Sequence, residues 1–478
     1  MDDLLYEELL QEIFTRLPST PSSSLSVSLV SKRWLRLYRS SRTSLSLRVP
    51  PHNSIIPSLS SFLCHYPSLS SLSILLSSFD SATSTGCSLS DHLLFAVSSS
   101  CPNLRLLRFL AGPVSFSYLR SLSTTCIHLT SLTVSLPRRP LVFSWIASFS
   151  CLKELSVHVC PRDGVEDDCG GNKESGLCSS EGFEAELGLE SLYLSGIRAG
   201  DWGVGWLWKN CKRLKKLQLK SCESIGDGES LASFVKCLEG IEEVELRTCR
   251  SIVDGVLLKL AENCCSLTSL LVYDGGSREG LLHFISNCRC KLTKLDLRLP
   301  LDLKNNHLLA VALNFRGLSI LRLQSCCLVT GEGLKTLGIA LSSGLRELAL
   351  INCDVVEREP GLLATLGQHF RQLKKLDLSY NEMLLDKEFV SMLASCNFLI
   401  ELKLRGCKKL TGLAMSSMCK SCQKLESVDV VHCCGIEAEA VELFVLNSPQ
   451  LQLLQVEESK ISNAARALVL NRSIQVVV

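Results

Sequence analysis

Residues 396–412, CNFLIELKLRGCKKLTG, set leucines at Leu399, Leu402 and Leu404, with Cys396 three positions before the first and Cys407 three after the last. Apolar residues alternating at 402 and 404 give the two-residue period of a strand with one buried face. A stretch this short buries nothing alone, so its recurrence is what constrains the fold. The equivalent first apolar position returns at Leu69, Leu104, Leu129, Leu152, Leu189, Leu214, Ile241, Leu267, Leu292, Leu318, Leu345, Leu373, Leu399, Leu425 and Leu451. From Leu189 the spacings are 25, 27, 26, 25, 26, 27, 28, 26, 26 and 26 residues. Such a period describes stacked units, each covering the core of the next.

The pattern is the leucine-rich-repeat signature, L-x-x-L-x-L-x-x-N/C, in which a strand and a following helix make one turn. The expected fold is an α/β solenoid, a leucine-rich-repeat horseshoe of about 15 repeats over residues 46–456, with parallel strands on the concave face and helices outside. Helix starts are expected at Thr330-Gly331 and Thr411-Gly412, the first followed by Leu334, Leu337 and Leu341 at helical spacing. Residues 457–478 read as a cap: a final helix in SNAARALVLN and a closing strand in SIQVVV. The repeats through Leu152 are serine-dense, and shorter helices are expected there. Two spacings exceed the period, 35 residues from Leu69 to Leu104 and 37 from Leu152 to Leu189. The second holds an acidic, Gly-rich insertion at 160–186, expected to be mobile. It is either a flap over the concave face or a tolerated surface loop, which costs little stability.

The 478 residues include 25 cysteines but begin without the basic and apolar runs of an export signal, so a disulfide framework is not expected. Cys160, Cys222, Cys249, Cys326, Cys353, Cys407 and Cys433 follow the last repeat apolar residue by three. Cys101, Cys126, Cys211, Cys264, Cys396 and Cys422 precede the first by three. A small, apolar, weakly hydrogen-bonding thiol suits positions where neighbouring turns meet. A net charge of +2 gives no electrostatic case for nucleic acid or a membrane surface. The expected compartment is the cytoplasm or nucleus.

Ahead of the repeats, residues 3–17 carry Leu5, Leu9, Ile13, Phe14 and Leu17 at helical spacing, closed by Pro18. A second apolar stripe follows at Leu25, Leu29, Val30, Trp34, Leu35 and Tyr38. Two or three helices in under 50 residues bury little surface and imply a partner. EELLQEIFTRLP followed by VSLVSKRWLRL resembles an F-box, which covers residues 1–45, although the family's usual Leu-Pro start is here Leu5-Tyr6. The resemblance implies docking onto the Skp-type linker of a cullin ubiquitin ligase, with Leu5, Leu9, Ile13, Phe14, Leu17, Val30 and Trp34 as the contact set. The alternative is an ordinary helical cap.

No catalytic motif is present: there is no Walker A loop, H-E-x-x-H, G-x-S-x-G or G-x-G-x-x-G. Cys419-x-x-Cys422 with Cys433-Cys434 has zinc-knuckle spacing, but Cys422 and Cys433 already fill repeat positions at opposite ends of one strand, so neither metal nor cofactor is expected. In DWGVGWLWKNC, Val204 and Leu207 are expected inside, leaving at least one of Trp202, Trp206 and Trp208 at the surface.

Outward strand positions include Lys220, Glu245, Arg247, Asp296, Arg298, Arg322, Asp377, Lys403, Arg405 and Asp429. Lys220, Arg247, Arg298, Arg322, Lys403 and Arg405 are the candidate contacts for a protein substrate that is acidic or phosphorylated. The other reading is that these charges pair across strands. Together with the F-box resemblance, the chain reads as a non-catalytic substrate adaptor of a Skp–cullin–F-box ligase. A hormone or metabolite co-receptor and a ligase-independent scaffold are the alternatives.

Overall fold

All fifteen first positions of the repeat, from Leu69 to Leu451, are buried. So are the two alternating positions after most of them, as at Leu217 and Leu219 or Leu402 and Leu404. The computed structural model describes residues 6–17, 21–52, 54–77, 87–138, 141–160, 186–201, 203–226, 228–299 and 303–477. Nearly all of the 160–186 insertion therefore lies outside the described residues.

The chain divides into two units, Met1–Cys237 and Leu238–Val478. The first begins with three helices, α1 (Glu7–Arg16), α2 (Pro21–Val30) and α3 (Lys32–Ser41). Its strands are β1 (Ser44–Val49), β2 (Ser71–Leu76), β3 (Leu106–Pro113), β4 (Ser131–Leu136), β5 (Glu154–Val159), β6 (Ser191–Ser195) and β7 (Lys216–Lys220). Each pairs in parallel with the next. The second unit holds β8 (Glu243–Arg247), β9 (Ser269–Tyr273), β10 (Lys294–Arg298), β11 (Ile320–Gln324), β12 (Glu347–Ile351), β13 (Lys375–Asp377), β14 (Glu401–Lys403), β15 (Ser427–Asp429), β16 (Leu453–Gln455) and β17 (Gln475–Val477). They too are parallel in chain order. Parallel neighbours require a crossover, and a helix follows nearly every strand. The fold is the expected leucine-rich-repeat α/β architecture. The final helix and closing strand are Asn463–Asn471 and β17, whereas β1 was not anticipated.

One expectation is corrected. Helices among the serine-dense repeats are not uniformly shorter: a five-residue 3₁₀ turn occurs at Ser144–Ser148, yet Cys87–Ser100 spans 14 residues. The difference lies in the strands, six residues in β2, β4 and β5 but three in β13 to β17. In β13 and β15 the Asp377 and Asp429 carboxylates accept the Ser379 and Val431 N–H at 3.1 Å. A longer strand would give those donors to a neighbour, so a side chain ends the ladder.

Four of the cysteines that follow a strand reach back to the preceding repeat, while the Cys326 thiol donates to Gln324 O of its own strand. The thiols of Cys222, Cys353, Cys407 and Cys433 donate to the carbonyls of Leu194, Leu323, Leu378 and Leu404, the last inward residue of the preceding repeat. Asn381 holds the same position in its repeat and does so more strongly. Its amide donates to Leu350 O at 2.8 Å and Leu378 O at 2.7 Å, and its Oδ1 accepts the Cys353 N–H at 2.9 Å. Burial pushes the thiols of Cys101, Cys237, Cys396, Cys422 and Cys433 up to about 12, which keeps them protonated.

Helix starts are completed by neighbouring repeats. Thr411 caps its own helix, accepting the Leu413 N–H, while its backbone N–H goes to Asp386 at 3.0 Å. Thr330 instead hands its N–H to Asn305, and the Gly331 N–H is taken by Glu359 at 2.6 Å. Asp254 serves Ser277 and Asp91 serves Ser115 in the same way, both at 2.8 Å. Each carboxylate sits where the helix dipole favours a negative charge. In the segment with three tryptophans, Val204, Leu207 and Trp208 are buried, Trp206 is half-buried and Trp202 is outside the described residues. Trp208 donates its indole N–H to Ile225 O at 2.8 Å.

Candidate functional site

The helices α1 and α2 both pack on α3 around Leu10, Phe14, Val27, Leu37 and Tyr38. Phe14 meets Trp34 and Tyr38 edge-on, with centroids 5.6 and 5.8 Å away. Ser31 separates α2 from α3 by capping the latter, accepting the Trp34 N–H at 3.1 Å. This core leaves two apolar stripes in water: Tyr6, Leu9 and Ile13 on and just before α1, and Leu25, Leu29 and Val30 on α2.

The residues predicted for this segment therefore divide. Leu9, Ile13 and Val30 are exposed, Leu17 and Trp34 are half-buried, Phe14 is buried in the core, and Leu5 is outside the described residues. The sequence reading merged two faces of α1. Leu10, Phe14 and Leu17 lie at i, i+4 and i+7 and turn inward, while Tyr6, Leu9 and Ile13 lie at i, i+3 and i+7 and turn outward. Tyr6 and Leu10 were missed, and Leu25 and Leu29, placed on the second apolar stripe, were left out of the contact set, although the same spacing carries them.

On the strand face of the second unit, register aligns Asp296, Arg322, Ala349, Asp377, Lys403, Asp429 and Gln455 in one row. Arg298 donates to both oxygens of Asp296 at 2.8 and 2.7 Å, and Asp296 is only 1% exposed. Arg322 reaches Glu347 at 2.6 Å and, over the methyl of Ala349, Asp377 at 3.3 Å. A larger residue at 349 would block that span of two strand spacings, about 10 Å. Arg405 donates to Asp429 at 3.0 Å, Arg247 to Glu245 at 2.9 Å, and Glu401 sits between Lys375 and Lys403 at 2.7 and 2.8 Å.

The electrostatics follow. The hydrogen bond to Asp296 raises the Arg298 pKa, and that to Glu401 raises Lys375. Burial pushes the Glu401 carboxyl up, but the bonds from Lys375 and Lys403 outweigh it and hold it below the usual range. Five of the six predicted substrate contacts, all but Lys220, are thus engaged with acids of their own face.

Lys220 lies in the first unit, exposed at the end of β7, and its surroundings differ. Outward positions on β3 to β7 hold Arg108, Thr133, Ser135, Ser156, His158, Tyr193, Ser195, Gln218 and Lys220. Among outward positions of β1 to β7 the one acid is Glu154, at the opposite end of β5 from His158. The His158 ring lies 5.0 Å from that of Tyr193, and burial, then Lys220 and Arg108, lower its pKa. The sequence reading passed over Arg108 and His158; aligning the irregular early repeats strand by strand places both beside Lys220.

Two surface cavities, of about 480 and 490 Å³, include none of these outward residues. No described helix is long and apolar enough to cross a membrane.

No family model matches the chain. Among solved structures, the yeast Rad7 and Elc1 complex gives a TM-score of 0.48 at 15% identity, covering 98% of this chain and 92% of that one. The leucine-rich-repeat protein LegL7 of Legionella pneumophila gives 0.41 at 13%, covering 59% and 97%. A leucine-rich-repeat protein of Leptospira interrogans gives 0.33 at 15%, covering 94% and 92%. Likeness at this level says nothing of what this chain does.

Proposed function

We propose that the chain is the substrate-recognition subunit of a Skp–cullin–F-box ubiquitin ligase. Its N-terminal helices hold the linker protein and its strand faces hold a protein substrate. The observation that carries this reading is the pair of exposed stripes, Tyr6-Leu9-Ile13 and Leu25-Leu29-Val30, on a segment that already has a closed core. Apolar side chains at regular helical spacing in water are a surface awaiting a partner. The repeats then act by holding substrate beside the ubiquitin-charged enzyme, an effective-concentration effect that needs no chemistry from this chain.

The test is co-purification with a Skp-type linker. Ile13→Ala together with Leu29→Ala should weaken linker binding by at least tenfold while leaving the thermal midpoint unchanged, since each truncated anchor removes about 1–2 kcal/mol of interface. Phe14→Ala should abolish binding for a different reason, by opening a cavity that costs about 3 kcal/mol of the segment's own stability. A wild-type chain that holds no linker ends the adaptor reading.

A further inference from the structure

The strand positions most open to a ligand are in the first unit, where cations stand without acids. Arg108 and Lys220 are exposed, and among the described residues neither makes an ion pair. They lie four strand steps apart, from β3 to β7, about 19 Å across the sheet at 4.8 Å per step, with Lys220 two residues further along its strand than Gln218, the register partner of Arg108. Between them the face carries the hydroxyls of Thr133, Ser135, Ser156 and Ser195, together with the His158 ring against Tyr193. Hydroxyls and imidazole N–H groups donate to carboxylates, and exposed cations draw them in. An extended peptide advances about 3.3 Å per residue, so about six residues span the interval.

We infer that the Arg108–His158–Lys220 face of the first unit binds a short, extended, carboxylate-rich segment of a partner protein. This rests on the adaptor reading for its purpose and names the chemistry of the substrate. Charge complementarity selects the occupant. The second unit's face has already matched its arginines with Asp296, Glu347, Asp377 and Asp429, so an acidic ligand would have to displace bonds that exist. Arg108 and Lys220 have no ion pair among the described residues for it to break. A nucleic acid fits less well, because the outward positions of β1 to β7 carry four lysines and arginines, Arg48, Arg108, Lys216 and Lys220, with Glu154 among them, rather than a uniformly basic stripe.

The experiment uses the full chain with its linker and a fluorescein-labelled hexaglutamate peptide, read by anisotropy at low salt. Binding is expected, with a loss of about tenfold or more in Arg108→Glu/Lys220→Glu and a marked weakening at higher salt. Arg298→Gln should bind as wild type does. Wild-type protein that ignores hexaglutamate, a double variant that binds unchanged, or clear preference for a labelled hexauridylate or a phosphoserine peptide would overturn the assignment. Linker co-purification is measured on the same samples. Linker retained with peptide lost removes this inference alone; linker absent with peptide bound removes the adaptor reading and leaves the acidic-segment site.

Discussion

The strand faces of the two units share one backbone arrangement and carry opposite chemistry. In the first, hydroxyls stand between exposed cations; in the second, acids and bases alternate along the register and neutralise one another. Residue type at an outward position does not say whether a charge is available. Arg298 and Arg108 both leave the sheet, but Arg298 closes on an Asp296 that water no longer reaches, and Arg108 closes on nothing. One face stabilises the stack and the other is open to a partner.

The largest expected effect tests the closed face. Asp296→Ala takes the buried carboxylate from Arg298 and should cost about 3 kcal/mol in chemical denaturation, while Ser156→Ala at an outward site of the first unit should cost under about 0.5. Equal midpoints for the two would erase the distinction between the faces. Next is Asn381→Ala, which leaves two carbonyls and one N–H without their buried partner and should cost about 2 kcal/mol, against about 1 for Cys407→Ala at the equivalent position.

Acidification sharpens the comparison from the other side. His158 has a lowered pKa, so its charging opposes the free fold and stability declines as pH drops below 6.5. A carboxylate ligand favours the charged ring, so hexaglutamate binding should take up a proton. It should tighten about two- to fivefold from pH 7.5 to 5.5, and His158→Gln should lose that dependence. The smallest effect is a deliberate near-zero: Arg405→Gln in the paired face should change hexaglutamate affinity by less than about twofold. A larger loss would move the acidic site into the second unit.

The repeat fold was legible because a period near 26 residues repeats the same burial problem, and Leu399, Leu402 and Leu404 solve it identically in turn after turn. β1 escaped because LSLRV follows directly on a helix with no leucine at the first repeat position. The helical segment was half legible: apolar spacing marked the helices, but telling Phe14 from Ile13 requires knowing where α3 lies. The charged face was legible in composition only. Pairing depends on Ala349 being small enough to let Arg322 cross it, a relation between residues 27 positions apart that no single repeat displays.

The borrowed carboxylates at the helix starts bear on how such a chain can evolve. Glu359 completes the helix that begins at Gly331, and Asp386 the one that begins at Gly412. A duplication or deletion that cuts between two repeats separates a helix from its acid and leaves both stranded. Gene-level shuffling of single turns is therefore filtered: copies survive when whole donor–acceptor pairs travel together, so the inherited module is wider than the motif that marks it.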